Sequence, residues 1–134
     1  MCVFTHITAG AIIGVYSPNP AAAAALGLGS HVVLDVLPHH DIDNVAVEIS
    51  LAVAVVVALA LGGAITATVI VGMIFAILPD LENLLWKLGK IPENKKFFPG
   101  HRGIISHGRV LDSSNLIIQF VFAIFTVSYL LWRR

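Results

Sequence analysis

The chain contains six histidines and eight acidic residues, and most of them stand at the ends of apolar segments. Imidazoles and carboxylates bind divalent metals, and ionisable groups near a bilayer are costly to keep there without a use. His31 and Asp35 are four residues apart, so they share one helical face and could grip one ion, or one could orient the other. The alternative is a polar pair that hydrogen-bonds across a bundle. We expect metal ligation, because an unpaired Asp35 would be expensive to bury.

Asp80 and Glu82 follow a proline in the sequence Leu-Pro-Asp-Leu-Glu. The simplest role of this sequence is to end one helix and begin the next, since proline breaks the first helix and Asp80 caps the next turn. Beside the histidines, however, a metal-binding or catalytic role for Asp80 becomes the better interpretation. Glu82 is a weaker candidate, and it could face solvent or serve as a base.

His101 and His107 bracket a short loop that contains Arg102 and Gly103. Arginine supplies a planar fork of donors suited to phosphate or carboxylate, and glycine lets the backbone approach a ligand closely. The alternative is a basic loop that touches anionic lipid headgroups. That alternative accounts for the nearby lysines but leaves two histidines beside glycines unexplained. We therefore predict His101 and His107 as metal ligands and Arg102 as the group that binds an anionic substrate.

Three further histidines are less specific. His39 and His40 are adjacent, so on a regular helix they point about 100° apart and we expect at most one of them to be a ligand. His6 begins the first apolar segment, where a lone histidine is usually interfacial. Its value as a ligand depends on its lying on the same side as the other histidines.

The composition is that of an integral membrane protein. Hydrophobic residues make up 57% of the 134 residues and charged residues only 12%, and the mean hydropathy is +0.90. A soluble domain carries about 25% charged residues. The length favours a single domain over 1–134, and the zero net charge offers no basic surface for nucleic acid. One cysteine excludes a disulfide framework and a cysteine-rich zinc site, and no cleaved signal peptide is indicated.

Five apolar segments predict an all-α, multi-pass transmembrane bundle of about five helices, because helices satisfy their own backbone in lipid. The segments cover about 3–16, 20–37, 44–61, 64–78 and 110–132, and the fourth could continue past Pro79 to residue 88. The first is short for a ~30 Å hydrocarbon core and could be re-entrant. The second carries a small-residue face with Gly27 and Gly29 for close packing. Gly62-Gly63 predicts a tight hairpin between the third and fourth segments.

Antiparallel connection of these segments places the metal-capable groups at one membrane face. The opposite face receives only the turns near residues 18 and 62 and the C-terminus. Six of the eight Lys and Arg residues lie between Lys87 and Arg109, so the positive-inside rule predicts that the site faces the cytoplasm across the inner (plasma) membrane. The groups on that face are His6, His31, Asp35, His39, His40, Asp41, Asp43, Asp80, Glu82, His101 and His107.

Four motifs resemble those of the YdjM-type (LexA-binding) inner-membrane metal-dependent hydrolases. The matches are Thr5-His6, the Ser30-His31 to Asp35 helix, the Leu-Pro-Asp sequence at Asp80, and the Gly-His-Arg-Gly block at His101 followed by Ser106-His107. In that family the Ser-His-x-x-x-Asp helix comes last, whereas here it precedes the other two motifs. The second histidine of the loop also lies one residue further from His101 than the corresponding spacing in that family. The resemblance implies a metal-dependent hydrolase whose substrate is not specified.

Together these patterns predict a membrane-embedded hydrolase that acts on a phosphoester, on a lipid or a small anionic molecule, through a metal-activated water. Histidine and aspartate without cysteine suit Zn²⁺ best, with Mn²⁺ or Fe as alternatives. Membrane lipids are the expected partners, and the chain could form a homo-oligomer. The alternative function is a non-enzymatic metal-binding module or scaffold. The predicted metal ligands are His6, His31, Asp35, Asp80, His101 and His107, and the predicted catalytic groups are Asp80, Arg102 and Glu82.

Overall fold

The computed structural model describes residues 1–105, 108, 110 and 112–133. Within these residues the chain is all-helical, with six α-helices and one short 3-10 turn, and without a β-strand. The helices are α1 (Val3–Tyr16), α2 (Pro20–Val36), α3 (Val45–Leu61), α4 (Ala67–Ile77), α5 (Asp80–Lys87) and α6 (Asn115–Trp132). The 3-10 turn is Glu93–Lys95.

Local sequence signals account for the starts of three helices. The side chain of Asn19 accepts the Ala22 N–H, and Pro20 occupies the first turn of α2, where its missing N–H costs nothing. Asn44 caps α3 in the same way, and Thr66 caps α4. Each cap satisfies backbone donors that the first turn of a helix leaves without an internal partner.

The fourth predicted segment, 64–78, ends at Pro79, and the alternative that it continues past Pro79 as one helix is wrong. The structure divides this region into α4 and α5, whose axes are bent by 53° at the break. Proline cannot donate the next helical hydrogen bond and crowds the preceding turn, so a bend is the physical consequence. The bend carries Asp80 to the first position of α5, at the end of the bundle that holds the histidines.

Helix α1 is the centre of the packing, where it contacts α2, α3, α4 and α6. Glycines allow the backbones of α1, α2 and α4 to approach each other closely. A Cβ atom added at Gly10 would lie 2.5 Å from the Gly72 carbonyl oxygen, and one added at Gly27 would lie 2.7 Å from the same oxygen. These three helices therefore cross at positions that only glycine can occupy.

The predicted tight hairpin of α3 and α4 is not formed. The two helices are joined by the Gly62-Gly63 turn, in which Gly63 takes a positive φ of 65°. Beyond the turn, α3 packs against α1 and α6, while α4 packs against α1 and α2. Gly72 of α4 lies directly against the backbone of α1, and a groove separates α3 from α4.

The described residues contain one helix that is by itself long and apolar enough to cross a membrane, α6 with 18 residues. The bent pair of α4 and α5 passes the same test when taken as one span. Helices α1, α2 and α3 are apolar but shorter. The outer face of α6 is apolar and exposed, with Ile118 at 64% and Phe125 at 73% of their full accessibility.

Candidate metal centre

Four elements bring three histidines and two aspartates together at one end of the bundle. His6 lies in the first turns of α1, and His31 and Asp35 lie in the last turns of α2. Asp80 begins α5, and His101 comes from the loop that follows it. Both His6 and His31 are completely buried. The structure therefore brings together five of the six predicted metal ligands, and His107 lies outside the described residues.

Asp35 is at the middle of this cluster. Its Oδ1 atom is 3.1 Å from His6 Nε2, and its Oδ2 atom is 3.1 Å from His31 Nε2 and 3.6 Å from His101 Nε2. Two donor atoms that bind one tetrahedral ion at about 2.1 Å lie roughly 3.4 Å apart. The separations around Asp35 therefore fit ligands that share one small ion.

Asp80 approaches the same group from the opposite wall. Its carboxylate oxygens are each 3.9 Å from a histidine nitrogen, Oδ2 from His6 Nε2 and Oδ1 from His101 Nε2. The Asp80 side chain keeps 18% of its accessibility, against 6% for Asp35. Both carboxylates line the cavity outside the cluster, and Asp80 is the more exposed of the two.

Hydrogen bonds on the outer side of two histidines fix which ring nitrogen carries the proton. His31 Nδ1 is 2.8 Å from the Ala76 carbonyl oxygen, and His101 Nδ1 is 2.7 Å from Glu82 Oε1. A carbonyl or carboxylate oxygen can only accept, so both Nδ1 atoms carry the hydrogen. The Nε2 atoms of His31 and His101 are then the ring nitrogens that face the cluster.

Each of these Nε2 atoms faces a carboxylate oxygen, and a bare nitrogen lone pair repels such an oxygen unless a proton or a metal cation lies between them. Among the described residues, His31 Nε2, His101 Nε2 and Asp80 Oδ2 are buried and have no hydrogen-bond partner. Buried polar atoms are nearly always satisfied, so a set of acceptors that converge without donors needs an explanation. Two overlapping groups, His6 with His31 and Asp35, and His31 with Asp80 and His101, each hold their ligand atoms within 4.8 Å of one another and could hold a cation. The donor set of imidazole and carboxylate suits Zn²⁺, Mn²⁺ or Fe.

Glu82 is buried, and the alternative that it faces solvent is wrong. Its carboxylate accepts the backbone N–H groups of Phe97 and Phe98 at 2.7 and 3.1 Å, in addition to His101 Nδ1. The ring of Phe98 then packs edge-on against His31. Glu82 therefore holds the loop against the bundle and orients His101, the arrangement that outer carboxylates give to metal-bound histidines.

His39 lies beside the cluster, whereas the side chain of His40 is in neither of the candidate ligand groups. His39 Nε2 is 2.8 Å from the Met1 amino group and 3.5 Å from Asp41 Oδ1, and the Met1 amino group is 3.0 Å from Asp35 Oδ1. Burial acts to lower the pKa of His39, but hydrogen bonds to Asp41 and to the Leu37 carbonyl outweigh it and the pKa is raised. Burial likewise acts to raise the pKa of Asp41, and His39 with the amino group lowers it instead.

Arg102 is exposed beside His101, and its backbone N–H donates to the Phe98 carbonyl.

Two groups that orient the histidines of the cluster were not predicted from the sequence. They are the Ala76 carbonyl and the carboxylate of Glu82 in this role. The Leu-Pro-Asp-Leu-Glu sequence carried a signal for the first, because proline marks a helix end whose carbonyls lack helical partners. No signal in the sequence places residues 97 and 98 on Glu82.

Comparison of the chain with models of known protein families, with curated proteins and with solved structures finds no significant match.

Proposed function

We propose that this chain is a membrane-embedded, metal-dependent hydrolase of phosphoesters. The observation that carries the proposal is the convergence of three buried imidazoles and two carboxylates, among which His31 Nε2, His101 Nε2 and Asp80 Oδ2 have no hydrogen-bond partner in the described part of the chain. His6, His31, Asp35, Asp80 and His101 would hold the ion, and Zn²⁺ suits this set best.

The hydrolysis adds one water across a P–O ester bond. When bound, a divalent metal supplies Lewis acidity and lowers the pKa of water towards neutrality. The water oxygen joins phosphorus, the ester oxygen leaves with the alcohol, and the two protons of the water end on the alcohol and on the phosphate or solvent. Asp80, which reaches the outer cavity, is the carboxylate placed to take a proton from the attacking water.

The remaining residues position these groups. Glu82 and the Ala76 carbonyl hold His101 and His31 with their Nε2 atoms facing inwards. Arg102, on the loop beside His101, would bind the anionic group of the substrate through its donor fork. Phe98 covers the edge of His31 and His101 and keeps bulk water from that side.

Several features support a multi-pass arrangement in the inner membrane. α6 and the bent α4–α5 pair have the length and composition of spans, and α1 to α3 are apolar throughout most of their length. Large apolar side chains remain exposed on α3, α4 and α6, which is the surface that lipid would cover. The lysines between α5 and α6 favour an orientation in which the metal centre is on the cytoplasmic side.

Metal content of the detergent-purified protein tests the proposal first. We expect about one equivalent of zinc per cluster and a loss of melting temperature on adding a chelator, because a ligand bound only to the folded state stabilises it. His101→Ala should lose the metal, and His40→Ala, at the same end of the bundle, should retain it. No bound metal, with a melting temperature unchanged by chelator, would refute the proposal.

Turnover separates the enzyme from its alternative. A panel of phosphomonoesters and phosphodiesters, soluble and lipid-linked, should include at least one compound that the zinc-loaded protein hydrolyses and that His101→Ala does not. Retained zinc without turnover of the whole panel, at high protein concentration, would instead favour the non-enzymatic metal-binding module.

A further inference from the structure

A long groove opens directly beside the metal centre. It has a volume of about 700 Å³ and lies between α3 on one side and α4 and α5 on the other. Val3 and Ile7 of α1 line it as well, which follows from the position of α1 at the centre of the packing. The groove exists because α3 and α4 diverge after the Gly62-Gly63 turn.

The charged and apolar linings of the groove come from different parts of the chain. Asp35, Asp41 and Asp80, at the end of the bundle that holds the cluster, belong to the lining. Val53 and Val57 of α3 and Ile74 of α4 line it further along, and they remain 54%, 47% and 49% exposed. The α3 wall from residue 45 to residue 57 is about 18 Å long at 1.5 Å per residue. The groove is therefore elongated, charged at the metal and apolar away from it.

A cation also borders the groove. Lys87, at the end of α5, belongs to its lining together with Trp86. An anionic group at the metal centre would be attracted by Lys87 as well as by the bound ion, and an aromatic ring beside a lysine is a common feature of the interface between lipid and water. Asp41 and Glu48 also line the groove near this end, so a phosphate would be held there by the bound metal ion together with Lys87, while the rest of the groove matches a hydrocarbon chain.

We infer that the groove holds an acyl chain of a membrane phospholipid, with the lipid phosphate at the metal centre. The inference rests on the proposed function and names the substrate class as lipid phosphoesters of the surrounding bilayer. The half-exposed valines and isoleucine give the acyl chain an apolar path from the bilayer into the groove.

Quenching of Trp86 by a brominated lipid tests the inference. In a Trp132→Phe background Trp86 is the remaining tryptophan. Phosphatidic acid with brominated acyl chains is titrated into the zinc-loaded protein in detergent micelles. We expect saturable quenching that unlabelled phosphatidic acid reverses and that a diacylglycerol, which lacks the phosphate, does not.

Two matched double variants locate the bound chain. Val53→Phe with Ile74→Phe adds bulk to both walls of the groove. Val47→Phe with Ile70→Phe adds the same bulk to the same two helices at exposed positions that do not line it. We expect the groove variant to bind the lipid at least about tenfold more weakly, since each excluded methylene weakens apolar binding about fourfold. The control variant should bind as the parent does.

Zinc affinity, measured on the same variants, keeps the two proposals separable. Unchanged zinc affinity in the groove variant shows that the fold and the metal centre are intact, so weaker lipid binding then supports the inference. Equal lipid binding in the two double variants, or quenching that rises linearly with lipid and never saturates, overturns it. Failure of the proposed function would appear differently, as a parent protein that binds no zinc or hydrolyses no phosphoester.

Discussion

Replacing Gly27 by alanine should damage the metal centre from a distance. A Cβ atom at this position would lie 2.7 Å from the Gly72 carbonyl oxygen and 3.3 Å from the Ala76 backbone nitrogen. Ordinary contact begins at 3.4 Å, so α2 must move away from α4 by the difference of 3.4 and 2.7 Å, which is 0.7 Å. Neither neighbour is a flexible side chain, so the helix itself has to give.

The displacement acts on the ligands because they belong to the same helix. His31 is one turn beyond Gly27, and Asp35 is one turn further. A shift of this size stretches the hydrogen bond from His31 Nδ1 to the Ala76 carbonyl and moves both ligands relative to Asp80 and His101. Metal–ligand distances tolerate only about ±0.2 Å. We expect a loss of zinc affinity of about 10–100-fold, as for removal of an orienting partner, and a loss of stability of about 1–3 kcal/mol.

Gly29→Ala is the matched control in the same helix. A Cβ atom at Gly29 meets nothing within 4 Å, so alanine should be neutral or stabilise the helix by about 0.5–1 kcal/mol. Competition with a fluorescent zinc chelator gives the affinities, and melting in detergent gives the stabilities with and without zinc. Wild-type affinity in Gly27→Ala, or an equal loss in both variants, would refute the reasoning that the glycine crossing sets the geometry of the cluster.

Three further outcomes are expected. Glu82→Gln should weaken zinc binding by about 10–100-fold, because an amide cannot accept from His101 and both backbone N–H groups as a carboxylate does. Glu93→Gln, on an exposed turn, is the control and should leave the zinc affinity measured by chelator competition unchanged. A wild-type zinc affinity in Glu82→Gln would show that Glu82 does not orient His101. Zinc should dissociate as the pH falls, since protons compete with the ion for the imidazole and carboxylate ligands. Equilibrium dialysis across pH checks this, and an unchanged zinc affinity in acid would count against histidine ligation. Gln119→Leu should lower the free energy of unfolding by about 1–3 kcal/mol, because the buried Cys2 N–H and Thr5 hydroxyl lose their shared acceptor. Ile118→Leu is the control and should be near neutral. Equal melting temperatures of the two variants would contradict the role of Gln119 as that acceptor.

The ligand cluster could be predicted in outline because it depends on helix parity and on short spacings. His31 and Asp35 share a face by their separation alone, and antiparallel connection brings His6 and Asp80 to the same end. Gln119 follows the same rule, because it lies inside an apolar segment and its amide bonds to Cys2, Thr5 and the His40 carbonyl. These features follow from periodicity and from the cost of burying a polar group.

The remaining features depend on tertiary contacts that periodicity does not encode. Gly27 and Gly29 look equivalent in the sequence, yet only Gly27 lies against another backbone. Gly62-Gly63 permits a tight hairpin, but α4 packs against α1 and α2 instead. The hydrogen bonds of Glu82 form only because the loop near residue 97, about fifteen residues further along the chain, folds back onto α5. The closure of such a loop is set by packing rather than by a local sequence pattern.

The proton on His31 is governed by the end of a helix in another part of the chain. Pro79 ends α4, and Ala76 is among the last four residues of that helix, whose carbonyls lack an internal donor. One of these carbonyls takes the Nδ1 hydrogen of His31 and so commits its other nitrogen to the cluster. Because the acceptor is main chain, no replacement of the side chain at residue 76 abolishes it. Most single mutations therefore leave the tautomer of His31 unchanged. It depends instead on Pro79, which ends α4.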